Sequence, residues 1–160
     1  MAIYSFPYEA SLNCTKLILG TMPGRISLKR NEYYAHGGNR FWKIIPNIID
    51  GKSTDSYRER IAQLNKKGFA LWDVLQHCER KSSSDADIKN EFPNDFQKFF
   101  MDYPKIKTII FNGQTAFDLF KLHVGIENNK EHLVLPSTSP QNNRWYTSEE
   151  MINEWRVILN

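Results

Sequence analysis

The chain has 160 residues, of which 41% are hydrophobic and 24% charged, and its formal net charge is +3. This length and ordinary globular composition predict a single domain spanning residues 1–160, and they exclude long disorder, a fibrous repeat and a two-domain enzyme. The small net charge does not by itself indicate nucleic-acid binding, whereas the aromatic fraction of 13% is unusually high.

Cysteine usage and the N-terminal segment indicate the cellular compartment. Cys14 and Cys78 are far apart and form no CxxC pair, so we expect two reduced, buried thiols. The first ten residues lack a basic segment followed by an apolar run, so no signal peptide is expected. No apolar run is long enough to cross a bilayer. We therefore predict a cytoplasmic protein that does not bind membranes.

Apolar runs alternate with helical patterns along the chain. Strands are predicted at residues 16–20, 69–74, 108–112 and 132–135, and helices at 39–49, 53–66, 95–103 and 114–123. A last helix should follow the capping-box sequence at 147–150. Strands that alternate with helices imply right-handed crossovers and a sheet covered on both faces. The sequence therefore predicts an α/β fold: a three-layer α/β/α domain with a central four-stranded parallel sheet.

Ligands bind such sheets at the carboxyl ends of the strands, so four loops should form the site. The first loop, at residues 20–24, reads Gly-Thr-Met-Pro-Gly. Its glycines permit close backbone approach to a ligand, and its backbone N–H groups can face an anion. It lacks the spacing of a dinucleotide site and of a phosphate loop, so no nucleotide cofactor is expected. The alternative is a plain strand-to-loop turn.

The most informative segment is residues 33–42, which reads Tyr-Tyr-Ala-His-Gly-Gly-Asn-Arg-Phe-Trp. An aromatic face there could stack on a planar ligand while an amide fixes the ligand's edge or a water molecule. The alternatives are that Asn39 only caps the next helix, that His36 is an incidental loop residue, and that Phe41 and Trp42 belong to the core.

The remaining loops each carry a distinctive polar feature. Asp73 stands late in an apolar strand and is costly to bury unpaired, so it should point into a polar cleft unless it caps a helix or turn. Asn112 either holds neighbouring loops together or reaches the ligand. The loop at residues 135–144 has two prolines and three hydroxyls that can bind phosphates, or it is simply solvated. The polar loop at residues 80–87 is expected to be solvated.

Taken together, these loops resemble those of the uracil-DNA glycosylase superfamily. The details look most similar to its DNA-deoxyinosine (hypoxanthine-DNA) glycosylase branch, which is related to the mismatch-specific thymine/uracil glycosylases. The similarity covers nearly the whole chain, and its motifs read LGTMPGRISL, YYAHGGNRFW, ALWDVL, SDADI and LPSTSP. One departure is Gly37, where the branch has a proline.

The resemblance implies roles for individual residues. Met22 stands where other branches have a catalytic acid or amide, so positioning of the water falls to Asn39. Phe41 matches the aromatic residue that stacks on the base, Asp73 a base-recognising position, and Gln141 the wedge that fills the gap left by the flipped nucleotide. Other residues expected around the base are Thr21, Met22, Pro23, Gly24, Tyr34, His36 and Asn112. Those expected on the DNA are Arg25, Ser27, Ser137, Thr138, Ser139, Asn142 and Arg144.

The resemblance also implies an activity. The protein would be a monofunctional DNA glycosylase of base excision repair that flips a deaminated base, above all hypoxanthine, out of duplex DNA and leaves an abasic site. We expect a monomer that needs no cofactor and no metal. A uracil or thymine mismatch glycosylase and a non-catalytic DNA- or nucleobase-binding protein remain alternatives. Residues 16–43 hold six basic residues against Glu32 alone, which predicts a phosphate-binding surface near the first loop.

Overall fold

The computed structural model describes residues 1–160 and contains seven strands and six α-helices. The strands are β1 (Ala2–Tyr4), β2 (Lys16–Gly20), β3 (Phe69–Asp73), β4 (Leu75–Glu79), β5 (Lys89–Pro93), β6 (Thr108–Asn112) and β7 (Glu131–Leu135). The helices are α1 (Arg25–Arg30), α2 (Phe41–Ile48), α3 (Tyr57–Lys66), α4 (Phe96–Asp102), α5 (Gln114–His123) and α6 (Ser148–Trp155). Short 3₁₀ turns lie at Asp85–Asp87, Pro140–Asn142 and Arg156–Leu159.

Four of these strands form a parallel sheet in the order β3-β2-β6-β7. The register pairs Gly20 with Asp73 across β2 and β3, and Asn112 with Leu135 across β6 and β7. The carboxyl ends of the four strands therefore meet at one edge of the sheet. The predicted α/β/α fold with a four-stranded parallel sheet is confirmed.

Both faces of this sheet are covered, which explains why its strands read as continuous apolar runs. On β2, Leu17 and Leu19 pack into one hydrophobic cluster with α4 and α5. Ile18 packs into the other cluster with α2, α3 and α6. Burying a leucine or isoleucine side chain of this kind contributes about 1.5–3 kcal/mol. The two clusters fix the sheet between its helices and so hold the carboxyl edge in place.

A second sheet was not predicted from the sequence. It is antiparallel, with the order β1-β4-β5, and β4 begins only two residues after β3 ends. Buried Asn94 connects the sheets, because its Nδ2 donates to the carbonyl oxygens of Asp73 at 2.8 Å and Leu75 at 3.2 Å. As a result, residues 80–87 return past the carboxyl edge of the parallel sheet.

Helix boundaries differ from the sequence prediction mainly at their starts. Helix α2 begins at Phe41 instead of residue 39, and α3 begins after Ser56, whose side chain accepts from the backbone N of Glu59. Helix α1 was not predicted at all. The capping box before α6 is present as predicted, with Thr147 and Glu150 bonding each other's backbone. None of the helices combines the length and the apolar character needed to span a bilayer.

Candidate active site

A cavity of about 650 Å³ opens at the carboxyl edge of the parallel sheet. It is built from the loops that follow β2, β3, β6 and β7, together with the segment between α1 and α2. Of the 29 residues that line it, only six are hydrophobic, so its wall suits a ligand with hydrogen-bonding edges. The loops that the sequence singled out do meet at one place.

The structure places every predicted site residue on the wall of this cavity except Phe41. Phe41 is fully buried, and its ring stacks behind that of Tyr34 with 4.1 Å between ring centroids. The predicted direct stacking of Phe41 on a base is therefore wrong. Phe41 is the first residue of α2, whose apolar side packs into the core, whereas the neighbouring Tyr33 and Tyr34 both line the cavity.

Asn39 combines two roles that the sequence left as alternatives. Its Oδ1 accepts from the backbone N of Phe41 at 2.9 Å and so satisfies the first N–H of α2 from the position before the N-cap residue Arg40. The residue also lines the cavity. A carbonyl oxygen has two lone pairs, so the cap leaves Oδ1 one further acceptor position. The capping bond fixes the orientation of the amide beside the cavity.

His36 lies at the exposed rim of the cavity in a defined tautomer. The backbone N of Gly38 donates to His36 Nδ1 at 2.9 Å. Because a backbone N–H can only donate, Nδ1 is the unprotonated nitrogen, and the neutral ring carries its proton on Nε2. His36 therefore presents a hydrogen-bond donor at Nε2.

Asp73 is the last residue of β3 and is only 3% exposed. Its Oδ2 has no hydrogen-bond partner. Burial raises the pKa of this carboxyl to about 8; the negative charge of Asp85 adds to the rise and Arg80 opposes it. Most of this group is protonated at neutral pH. A Cβ at Gly20 would collide with Asp73 Oδ1 and lie 2.9 Å from the Tyr34 hydroxyl, so glycine is required there.

The sequence suggested that the loop at residues 80–87 is simply solvated, but the structure places part of it on the cavity wall. Asp85 lines the cavity, so the wall contains a second acid that sequence reasoning missed. Burial raises the pKa of Asp85, while the Thr21 hydroxyl and the Arg80 guanidinium oppose that rise. The sequence signal was the SDADI motif of the resemblance, to which no role was given.

The same loop supports the first loop from outside. Arg80 Nη2 donates to the carbonyl oxygen of Pro23 at 2.6 Å, and Ser83 Oγ accepts from the backbone N of Arg25 at 3.0 Å. Met22 is 7% exposed and packs into the hydrophobic core while also lining the cavity. The first loop is therefore anchored on both sides.

Asn112 and Thr138 bond each other in both directions. Asn112 Nδ2 donates to Thr138 Oγ1 at 2.9 Å, and the backbone N of Thr138 donates to Asn112 Oδ1 at 2.9 Å. This pair joins the ends of β6 and β7. Of the two alternatives for Asn112, its contacts therefore match the one in which it holds neighbouring loops together. Thr138 is fully buried, which contradicts its predicted contact with a DNA phosphate.

Ser27 also turns out to be structural. It is 5% exposed, and its Oγ accepts from the backbone N of Ala35 at 3.1 Å. This bond holds the turn in which Tyr34 adopts a positive φ of 57°. The burial contradicts the predicted contact of Ser27 with DNA, and the hydroxyl instead orients the aromatic wall of the cavity.

The loop after β7 keeps several polar groups available at the rim. Ser137 Oγ accepts from the backbone N of Ser139 at 3.1 Å, which leaves its own proton free to donate. Asn142 Nδ2 donates to the carbonyl oxygen of Ser137 at 2.9 Å and so tightens the turn. Gln141 and Arg144 are exposed at the tip.

Trp145 is a rim residue that the sequence prediction missed. It is 67% exposed, lines the cavity and carries the Arg144 guanidinium 5.0 Å from its ring centroid. Arg40 holds the backbone on both sides of it, with Nη2 donating to the carbonyl of Asn143 at 3.3 Å and Nη1 to that of Tyr146. The only sequence signal was a tryptophan within a polar loop.

The basic cluster at residues 16–43 does not form one surface. Lys16 lies at the amino end of β2, where its Nζ donates to the carbonyl of Asn160 at 3.0 Å, so it is at the edge opposite the cavity. Arg40 is a brace for the rim. Arg25 is the basic residue of this segment that lines the cavity. The predicted placement of this basic charge near the first loop is therefore wrong for Lys16 and Arg40.

Comparisons with known proteins agree with this geometry. The family model of the uracil DNA glycosylase superfamily matches residues 6–158. The hypoxanthine DNA glycosylase of Methanosarcina acetivorans is 33% identical over 155 residues, covering 96% of each chain. That of Methanosarcina barkeri is 34% identical over 112 residues, covering 69% of this chain and 71% of its own.

A solved structure is similar over the same extent. The solution NMR structure of a Methanosarcina acetivorans protein assigned to the uracil DNA glycosylases superposes with a TM-score of 0.84 at 33% identity. The match covers 99% of this chain and 96% of that one. The chain belongs to the uracil DNA glycosylase superfamily, and so to the DNA glycosylases, which hydrolyse N-glycosyl bonds. The resemblance read from its loops is thereby confirmed.

Proposed function

We propose that this protein excises hypoxanthine from DNA and leaves an abasic site. The observation that carries the proposal is the polar cavity whose wall brings Asn39, Asp73 and Tyr34 together. Its volume of about 650 Å³ suits a nucleobase with its sugar. The similarity to two hypoxanthine DNA glycosylases supports the choice of base. Because the glycosidic carbon is unreachable inside a duplex, the nucleotide must be flipped into the cavity.

The base would be held from its face and from its edge. Tyr34 supplies the aromatic wall, itself backed by the stacked ring of Phe41. The carboxyl of Asp73 faces the base edge, where hypoxanthine presents the N1–H donor and the O6 acceptor. A protonated carboxyl offers both a donor and an acceptor to such an edge.

Asn39 would position the attacking water. Its Oδ1 has one lone pair left after the bond to the backbone of Phe41, and that bond fixes where the remaining acceptor points. A water held there attacks C1′ as the glycosidic bond breaks with oxocarbenium character. Met22 cannot act in place of Asn39, because a thioether neither polarises water nor stabilises a cation.

The rim would bind the duplex around the flipped nucleotide. The hydroxyls of Ser137 and Ser139 and the charge of Arg144 are placed to contact phosphates. Gln141 is exposed at the tip of the loop and would fill the space that the flipped base leaves in the helix. Exposed Trp145 provides a stacking surface beside it.

The test is base release by the purified protein from duplexes that carry one hypoxanthine, uracil or xanthine. We expect hypoxanthine to be released fastest, and Asn39→Ala to lower that rate by at least about 100-fold with DNA binding retained. Asn47→Ala is the matched control, because Asn47 is an exposed asparagine on α2. Faster release of uracil, or of thymine from a mismatch, would support the mismatch-glycosylase alternative. No release of any base would support the non-catalytic one.

Because Asn39 also caps α2, its replacement should cost about 1 kcal/mol of stability. Thermal denaturation of Asn39→Ala therefore accompanies the rate measurement. A folded variant with full activity would move the water-positioning role to another residue, with His36 the next candidate.

A further inference from the structure

We propose that Asp73 is the general acid of the reaction, whose carboxyl gives its proton to the departing base. The proposal rests on the proposed function, since it concerns the leaving group of that same reaction. It goes beyond a base contact because it assigns Asp73 a chemical step.

The position of the carboxyl supports this role. Asp73 is 97% buried by the sheet and the surrounding loops, yet it lines the cavity. Its Oδ2 has no hydrogen-bond partner, so no hydrogen bond within the protein stabilises a negative charge on that oxygen. Gly20 gives the side chain the room to lie there. Oδ2 is screened from solvent, whereas Oδ1 is not, so a ligand in the cavity can take the proton from the Oδ1 side of the carboxyl.

The surrounding charges point to the same protonation state. Asp85 raises the pKa of Asp73 and Arg80 lowers it, with desolvation the largest cause of the shift. Tyr33 and Tyr34, which also lie against Asp73, are neutral because burial raises the pKa of both. The net effect keeps the proton on Asp73 at neutral pH.

The cavity is also unfavourable for an anionic leaving group. Two acids, Asp73 and Asp85, lie on its wall, and an anionic base would be repelled by each ionised carboxylate. Protonation of the base removes this repulsion, because the base then leaves as a neutral molecule. The acidic wall and the buried proton donor are therefore consistent with each other.

The bond between C1′ and N9 breaks, and its electron pair moves onto hypoxanthine. The Asp73 O–H bond breaks, and the proton bonds to N7, the unprotonated ring nitrogen beside O6, so that the base leaves neutral with N1 still protonated. The water held by Asn39 adds to C1′ and releases a proton to solvent. The Asp73 carboxylate then takes up a proton from solvent and is ready for the next turnover.

The test measures single-turnover release of hypoxanthine between pH 6 and pH 10. For the wild type we expect the rate to fall about tenfold per pH unit above about pH 8, as the proton on Asp73 is lost. Asp73→Asn keeps the size of the side chain but has no proton to give. It should slow release by at least about 100-fold and abolish the alkaline decline, with DNA affinity retained.

Two further variants separate acid catalysis from a structural role. Asp85→Asn should shift the alkaline decline to lower pH, because Asp85 raises the pKa of Asp73. Asp55→Asn, at an exposed position, should change neither the rate nor the profile. A positioning role alone would not move the pH profile.

The outcomes distinguish this inference from the proposed function. If the wild type releases no hypoxanthine at any pH, the proposed function fails. If the wild type is active but folded Asp73→Asn is within threefold of its rate, Asp73 is not the general acid. The inference also fails if a slowed Asp73→Asn keeps the wild-type alkaline decline, because another group then titrates.

Discussion

Replacing Asp73 by asparagine should stabilise the protein more at high pH than at low pH. An aspartate of the unfolded chain ionises near pH 3.8, whereas burial raises the pKa of Asp73 in the fold to about 8. Between these values the folded protein holds a proton that the unfolded chain has lost. The contribution of Asp73 to stability is therefore fully present below about pH 4 and is lost as the pH rises through about 8.

The size of the effect follows from the same shift. One pK unit corresponds to about 1.4 kcal/mol. About three pH units separate pH 5 from the folded-state pKa of about 8. The contribution of Asp73 to the free energy of unfolding therefore falls by about 4 kcal/mol between pH 5 and pH 9. Asparagine has a similar size and does not titrate. The free energy of unfolding of Asp73→Asn, relative to wild type, should thus increase by about that amount over this range.

Urea denaturation of both proteins at pH 5 and pH 9 measures this difference. Asp55→Asn serves as the control, since Asp55 is exposed and its replacement should leave the difference near zero at both pH values. An equal difference between wild type and Asp73→Asn at the two pH values would show that Asp73 is ionised in the fold. That result would refute the argument from burial.

Three further changes test the loops around the cavity. Gly113→Ala should cost about 1–3 kcal/mol, because Gly113 has a φ of 103° and a Cβ there would lie 3.0 Å from that of Ser137. Arg40→Met should cost about 2 kcal/mol in urea denaturation and weaken DNA binding, because two carbonyls beside Trp145 lose their donors. Trp145→Ala should leave stability unchanged and raise the Kd for lesion-containing duplex by about 5- to 100-fold in anisotropy titrations.

Each of these has a matched control. A Cβ at Gly37 meets nothing within 4 Å, so Gly37→Ala should be close to neutral, and an equal loss at both glycines would contradict the conformational argument. Lys66→Met removes an exposed charge on α3 that makes no side-chain hydrogen bond, as a comparison for Arg40. Leu122 is 72% exposed, and an effect of Leu122→Ala on DNA binding as large as that of Trp145→Ala would remove the case for stacking.

The position of the site could be predicted because parallel strands end at one edge. Asp73 and Asn112 are the last residues of their strands, so their sequence positions alone brought them together. The antiparallel sheet was missed because its strands carry few buried residues. On β4 only Leu75 and Cys78 are buried, and β5 has none. Such strands read as polar loops.

The roles of neighbouring residues were harder to predict than their location. Tyr34 and Phe41 are both aromatic and both near the cavity, and sequence does not say which reaches it. The choice depends on the positive φ of Tyr34 and on the direction in which α2 begins. Likewise, the sequence places Arg40 and Lys16 in a basic, phosphate-binding segment, whereas in the structure both donate to backbone carbonyls. Single hydrogen bonds of this kind leave no periodic pattern in a sequence.

Two hydrogen bonds join Asn112 and Thr138, and Arg40 donates to two backbone carbonyls of the rim. These contacts have a consequence for recognition. Both sets of contacts exist within the free protein, so the rim is already ordered before DNA arrives. The entropy of fixing this loop is lost during folding and not again at each encounter. Under the proposed function, a duplex therefore meets a preformed rim, and the unstacking of the base to be excised is the part of recognition that still costs free energy.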